Sequence, residues 1–333
     1  MSEAVRSPED IMVAAQLAAA LEVSAWPKPG NVHRTADLGP KTFERFLAGS
    51  LALGPACLEA ARRGLLAGRG GLDKTSLGLG SLIERAVADD GRWQGAGPTH
   101  AGFAMLCVPL AASAGFLLGR KAMVNVPNLR KVLDMLLRAT TVEDSIHLYR
   151  ALRGTGSSKL GRLRPDALLP DVGDPKAEEL LAARNLTLWR VLELSSSWDL
   201  VAKELFRSLE LCARVGFPRL MAELEEHGSL NAAVVNTYLA LLAEAEDTHV
   251  ARTWGLRETP YMPDAVLRGR EMAKKVSERA RKVLELGGAA TPKGMEAVQA
   301  MDLWLRSLGL NPGSCADLTA CSLMLALLTG LRP

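Results

Sequence analysis

The sequence predicts an all-α protein: one domain over residues 1–333, with about a dozen helices around a buried central helix. Three observations lead there. Apolar residues recur at three- and four-residue spacing along nearly the whole chain. No run of alternating β-branched residues appears, and fragments such as "MVNVPN" are short and contain proline. Residues 101–119, "AGFAMLCVPLAASAGFLLG", carry no charge at any of 19 positions, as a helix covered on all sides would.

The elements follow in order. "SPEDIMVAAQLAAALEV" opens with Ser7 as N-cap, Pro8 in the first turn and Asp10 three residues after the serine. "PTHAGFAM" starts the central helix, with Thr99 as its expected cap. "DPKAEELLAARNLTLWRVLEL" and "SWDLVAKELFRSLELCARV" read as two further helices, and "GSLNAAVVNTYLALLAEAEDTHVARTWG" as one long one. "PDAVLRGREMAKKVSERARKVLEL" is amphipathic with a basic outer face, and "TPKGMEAVQAMDLWLRSLGL" and "SCADLTACSLMLALLTGL" complete the set. Residues 153–175, polar and glycine-rich, are expected to form a functional loop, because long structureless connections in compact domains usually do.

Composition narrows the function classes. The 333 residues are 48% hydrophobic and 23% charged, ordinary for a globular chain. A net charge of +3 is too small for bulk nucleic-acid binding. Five scattered cysteines, Cys57, Cys107, Cys212, Cys315 and Cys321, form no C-x-x-C pair, which disfavours a disulfide framework and a structural zinc. With no signal-like N-terminus, the expectation is a cytoplasmic protein. Residues 101–119 are long enough to span a bilayer. Pro109 in the middle and the lack of aromatic belts favour a core helix, so no membrane partner is expected.

Four stretches have residues suited to chemistry. In "PKPGNVHRT" two prolines stiffen the chain and Gly30 permits a turn, so Lys28 projects from a pre-ordered loop with His33 and Arg34 behind it. A rigid cationic loop suits phosphate, although a plain helix stop explains it as well. In "GAGPTHAG" a helix beginning at Thr99 would turn its free N–H groups toward His100 and an anion; the alternative is an ordinary cap with a half-buried histidine. In "AEAEDTHVARTWG", Glu244, Asp247 and Thr248 stand three and four apart on one helical face. Glu244 and Asp247 so placed would hold magnesium and Arg252 a phosphate, unless the stretch is only a polar helix end. In "LNPGSCADL" a turn at Asn311-Pro312-Gly313 leads to Ser314 as a cap and Asp317 in a box-like position, which a well-capped helix accounts for in full.

Taken together, "PKPG" at 27–30, "THAG" at 99–102, "DT" at 247–248 with Arg252, and "NPGSCADL" at 311–318 resemble the ATP:dephospho-CoA triphosphoribosyltransferase family in order and spacing. The middle of the chain is most similar to its archaeal-type branch. The resemblance implies an all-α enzyme with small-molecule substrates, ATP and dephospho-CoA, that joins the two and releases adenine. Magnesium would accompany the ATP, and self-association is left open. Candidate catalytic residues are then His100, Asp247 and Asp317. Substrate and phosphate would be held by Lys28, Gly30, His33, Arg34, Thr99, Arg153, Thr248, Arg252, Asn311, Gly313 and Ser314. The chain departs from the family's citrate-lyase branch at Pro98 and Ala101, where asparagine and lysine are usual, and at His33, where an aspartate is usual. Those departures leave two alternatives open. One is a related nucleotide-dependent transferase in another cofactor pathway, for example that of a one-carbon carrier. The other is a non-catalytic nucleotide-binding helical protein.

Overall fold

The structure, a computed structural model, describes residues 4–95, 97–156 and 160–333. In chain order the helices are α1 (Pro8–Ser24), α2 (Phe43–Ala52), α3 (Gly54–Gly68), α4 (Leu79–Gln94), α5 (Ala101–Gly119), α6 (Val126–Arg138), α7 (Val142–Gly154) and α8 (Ala177–Ala183). They continue as α9 (Leu188–Ser195), α10 (Leu200–Phe206), α11 (Phe217–His227), α12 (Leu230–Glu244), α13 (Thr248–Gly255), α14 (Met262–Glu285), α15 (Pro292–Ser307) and α16 (Gly313–Leu328). Among the described residues there are isolated β-bridges and no strand. The all-α expectation stands.

The uncharged segment is α5, and it is the central helix. Fourteen of its nineteen residues are buried, and α1, α3, α4, α6, α10 and α16 all pack on it. Removing Phe103, Met105, Leu106, Val108, Leu110 and Leu117 from water contributes on the order of 10 kcal/mol, much of it offset by ordering entropy. By length and composition alone α5 would cross a membrane; in this fold neighbouring helices cover it. One hydrophobic cluster runs from Val5 to Leu328 through α5. The backbones of α3 and α5 approach closely: a Cβ on Gly64 would fall 2.0 Å from the Ala112 carbonyl oxygen, and one on Gly115 2.0 Å from that of Ala61.

α1 begins with the expected capping box, Ser7 and Asp10 bonding each other's backbone N–H. Three expected helices are each divided in two. The 177–195 segment turns at Asn185, with Thr187 capping α9. The segment after Trp198 stops at Arg207; Ser208 and Leu209 take positive φ, and the buried Glu204 carboxylate accepts the Leu211 and Cys212 N–H groups that restart the chain. The long "GSLNAAVV…" helix breaks at Ala245, which is extended, and Asp247 caps a new helix, α13. Each break has a carboxylate or hydroxyl ready to accept free N–H groups, so a restart costs little. The polar 153–175 connection opens with the last two residues of α7, Arg153 and Gly154, and its other described residues form no α-helix. It docks on the α13–α14 junction, where Arg162 N–H bonds the Pro260 carbonyl, and none of its hydrogen bonds reaches the four motifs. Residues 157–159 of that connection, and Ala96 in "GAGPTHAG", lie outside the described residues.

Candidate active site

The fold brings the ends of α1, α5, α13 and α16 together. Lys28 is fully buried, and its ammonium donates to the Glu22 carbonyl oxygen at 3.0 Å and to the Glu22 carboxylate. The expectation of a lysine projecting toward phosphate is therefore corrected: Lys28 turns back into α1 and fixes Glu22. Burial pushes the Lys28 ammonium below its ordinary pKa, against the opposing pull of Glu22 and, farther off, Asp317.

The loop holding Lys28 is clamped from α15. Asp302 accepts the Gly30 N–H at 2.7 Å, and Arg306 bonds both Asp302 oxygens at 2.9 Å and the Asn31 carbonyl at 2.6 Å. Tyr238 donates to the Pro29 carbonyl at 2.8 Å. Gly30 adopts φ +72°, and a Cβ there would lie 2.8 Å from the Leu310 carbonyl oxygen, so glycine is required and the first motif abuts the last. Burial raises the Asp302 pKa; His33, Arg306 and the Gly30 N–H outweigh it and hold the group below its usual value. His33, expected at the substrate, is buried with Nε2 3.6 Å from Asp302 and belongs to this clamp. Arg34 is exposed and bonds Asn231 at 3.1 Å, outside the site.

The second motif is capped from an unexpected side. α5 starts at Ala101, and the buried Asp90 of α4 accepts the Thr99 N–H at 2.7 Å, the His100 N–H at 2.8 Å and the Thr99 hydroxyl at 3.1 Å. Thr99 is thus occupied, and its N–H is not free for an anion. His100 Nε2 lies 2.8 Å from the Phe46 carbonyl, which only accepts, so Nε2 carries the proton and Nδ1 the lone pair. Gly102 faces α16, where a Cβ would sit 2.0 Å from Asp317 Oδ2.

Asp247 joins the third and fourth motifs. It is fully buried; Oδ1 accepts the His249 and Val250 N–H groups at 2.8 and 3.0 Å, and Oδ2 accepts the Cys315 N–H at 2.7 Å. One carboxylate therefore caps both α13 and α16. Burial raises its pKa against the three hydrogen bonds that stabilise the charge. Fully buried and holding three backbone N–H groups, Asp247 serves as a cap rather than as a group presented to substrate or metal. Glu244 is exposed and paired with Arg214 at 2.6 Å beyond the break after α12, so the Glu244–Asp247 metal site does not form. α16 starts at Gly313, one residue before the expected cap. The Ser314 hydroxyl instead meets that of Thr248 at 3.3 Å, and Thr248 accepts the Leu200 N–H at 3.0 Å.

His249 donates from Nδ1 to the Asn311 carbonyl at 2.7 Å, beside Gly313. Burial, reinforced by Arg252, pushes its pKa down to about 3, so the ring is neutral. Asn311 Oδ1 is a buried acceptor with no donor among the described residues. Arg252 is half-buried; burial lowers its pKa, and the fields of Asp199 and Asp247 oppose that. Arg153 lies elsewhere, paired with Glu178 at 2.9 Å between α7 and α8.

Asp317 stands where these pieces meet. It is half-buried, and no hydrogen bond reaches its carboxylate among the described residues. Burial raises its pKa well above the usual range, and the nearby charges of Glu22, Asp247 and Asp199 raise it further, while Lys41 opposes them. Glu22, Asp90, Asp302 and Lys41 were not singled out by the sequence. The three acids shared one signal: each falls in an apolar helical register, Ala15-Ala18-Ala19-Glu22, Ile83-Ala86-Val87-Asp90 and Val298-Met301-Asp302-Leu305. A charge in that register is buried, and a buried charge needs a partner.

A family model described as ATP:dephospho-CoA triphosphoribosyl transferase matches residues 8–333. The chain belongs to this family. Among family relatives, the probable 2-(5''-triphosphoribosyl)-3'-dephosphocoenzyme-A synthase 1 of Salmonella typhimurium is 31% identical over 121 residues, 36% of this chain and 34% of that protein. The 2-(5''-triphosphoribosyl)-3'-dephosphocoenzyme-A synthase of Escherichia fergusonii matches to the same extent, at 31% over 121 residues. The chain thus spans about a third, 34%, of the length of the curated relatives it matches. A crystal structure of a candidate triphosphoribosyl-dephospho-CoA synthase from Archaeoglobus fulgidus superposes with a TM-score of 0.60 at 26% identity, covering 86% of this chain and all of that one.

Proposed function

We propose that the protein transfers the triphosphoribosyl group of ATP to a ribose hydroxyl of dephospho-CoA and releases adenine. The observation carrying this reading is the meeting of four motifs, far apart in the chain, around the unbonded Asp317 carboxylate. In the reaction the C1′–N9 bond of ATP breaks and a C1′–O bond forms. The hydroxyl loses its proton, and departing adenine takes one up.

The residue types suit that step. His100, with Nε2–H held by Phe46, presents Nδ1 as the base for the hydroxyl proton. Arg252 and Lys41, whose charges act on His249 and Asp317, would offer charge to the triphosphate, which is kept rather than cleaved. The Asn311 Oδ1 acceptor suits a ribose hydroxyl. Lys28, Glu22 and Asp302 act indirectly, as positioning groups.

Magnesium would travel with the ATP. No cluster of three or more metal-ligating side chains exists among the described residues. Magnesium on a nucleotide needs only one or two protein carboxylates, the rest of its shell being phosphate and water. Asp317, which accepts no hydrogen bond from the described residues, fits that role better than the capping Asp247 or the Arg214-paired Glu244. When bound, the metal would neutralise part of the triphosphate charge.

The test is adenine release from ATP by purified protein with magnesium, measured with and without dephospho-CoA. Strict dependence on the acceptor is expected, with a fall in kcat on the order of 100-fold for Asp317→Asn and an unchanged melting midpoint. No adenine from the wild type with any nucleotide acceptor would leave the non-catalytic reading in its place.

A further inference from the structure

A cavity of about 740 Å³ lies between α10 with the turn before it, the α12–α13 break and α14, against the third motif and away from the other three. It touches that cluster through Thr248, which lines the cavity and whose hydroxyl meets Ser314, one helical turn from Asp317. Its volume falls within the roughly 300–1,000 Å³ usual for small-molecule sites. The apolar floor is Trp198, Leu200, Leu211 and Val266. On the rim, Arg207, Arg214 and Arg270 are already closed on Glu210, Glu244 and Glu246. Two donors remain unused. Lys203 meets no carboxylate among the described residues, and the Trp198 indole N–H has no acceptor.

We propose that this cleft receives the pantetheine arm of the acceptor, with its diphosphate at Lys203 and its ribose end at the Thr248–Ser314 hydroxyls. The inference rests on the transferase reading above and extends it to the second substrate. Charge decides between the two substrates. The lining arginines Arg207, Arg214 and Arg270 are already neutralised by Glu210, Glu244 and Glu246, so the cleft holds no surplus of positive charge for a triphosphate beyond Lys203. The arm is uncharged beyond its diphosphate, and its methyl groups and amides match an apolar floor with a polar rim. Swinging the Trp198 indole toward a ligand amide sacrifices no existing hydrogen bond.

The test is calorimetric titration of the full chain with three probes: dephospho-CoA, 4′-phosphopantetheine and ATP. Val266→Trp fills the cleft from a half-buried position, and Lys203→Glu reverses an exposed charge without touching the core. Both variants are expected to weaken dephospho-CoA and 4′-phosphopantetheine by about tenfold or more and to leave ATP affinity unchanged. Hydrogen exchange with 4′-phosphopantetheine bound is expected to protect residues 196–214 and 263–270. Undetectable binding of 4′-phosphopantetheine, equal affinity in both variants, or protection confined to other segments would overturn the proposal. The two readings separate cleanly. If the arm occupies the cleft and adenine is never released, the cleft stands and the transfer reaction falls. If adenine is released and the arm binds elsewhere, the reverse holds.

Discussion

Glu22 and Lys28 bury two opposite charges that neither could keep alone. Their attraction does little more than offset the cost of leaving water, so the pair is weak evidence of stability, but breaking it is expensive. Lys28→Met should destabilise the fold by about 3–5 kcal/mol, because Glu22 is left charged and unpaired. Adding Glu22→Gln to that variant should restore much of the loss. Urea midpoints of the two variants check this, and equal midpoints would mean that the pair is not the cause. His249 supports a second prediction at the same scale. Its pKa is near 6.5 in the unfolded chain and about 3 in the fold. As pH falls below about 6.5, the unfolded chain takes up a proton that the folded chain refuses, so stability declines until about pH 3. His249→Gln keeps a donor for the Asn311 carbonyl and removes the titration. The wild-type stability curve should then fall more steeply than the variant's between pH 6 and 4, and parallel curves would contradict the assignment.

Among the elements, α13 and α16 share one cap, and that junction holds the third and fourth motifs in register. Asp247→Ala frees three buried N–H groups at once, a cost of about 3 kcal/mol or more. Asp247→Asn keeps one acceptor oxygen and should cost clearly less. Thermal midpoints ranked wild type, Asn, Ala are expected; an Ala variant as stable as wild type would show that water replaces the cap. This junction also shows what could be read in advance. "PKPG" and "NPG" were legible because proline and glycine dictate backbone locally, and the capping box at Ser7 is complete within four residues. The caps of α5 and α16 were not legible. Asp90 holds the Thr99 and His100 N–H groups that lead into α5 and Asp247 the Cys315 N–H of α16, at sequence separations of up to 68 residues, and no local pattern encodes that meeting. The direction of the Lys28 side chain is illegible for the same reason: prolines and glycine dictate its loop, but its partner, Glu22, is a matter of packing.

For the whole molecule, the decisive contact is α3 against α5, because α5 is the axis on which the other helices and the site are hung. Gly64 and Gly115 let the two backbones touch, and the same reasoning gives opposite signs for one substitution at two places. In the interior of a helix, glycine to alanine normally stabilises by about 1 kcal/mol. At Gly64 the new methyl would lie 2.0 Å from a backbone oxygen that cannot swing aside, so two helices must separate. Overpacking of that kind costs about 1–3 kcal/mol and exceeds the propensity gain. Gly154, in the last turn of α7, has nothing within 4 Å of the position a Cβ would take. Gly64→Ala should therefore lower the melting midpoint and Gly154→Ala should hold or raise it. Because α5 also presents His100 and Gly102 at its start, the Gly64 variant should lose adenine-release activity along with stability, and the Gly154 variant should keep it. A Gly64→Ala protein as stable and as active as the wild type would mean that α3 and α5 are not in backbone contact, and the placement of the α5 N-terminus beside Asp317 would fall with it.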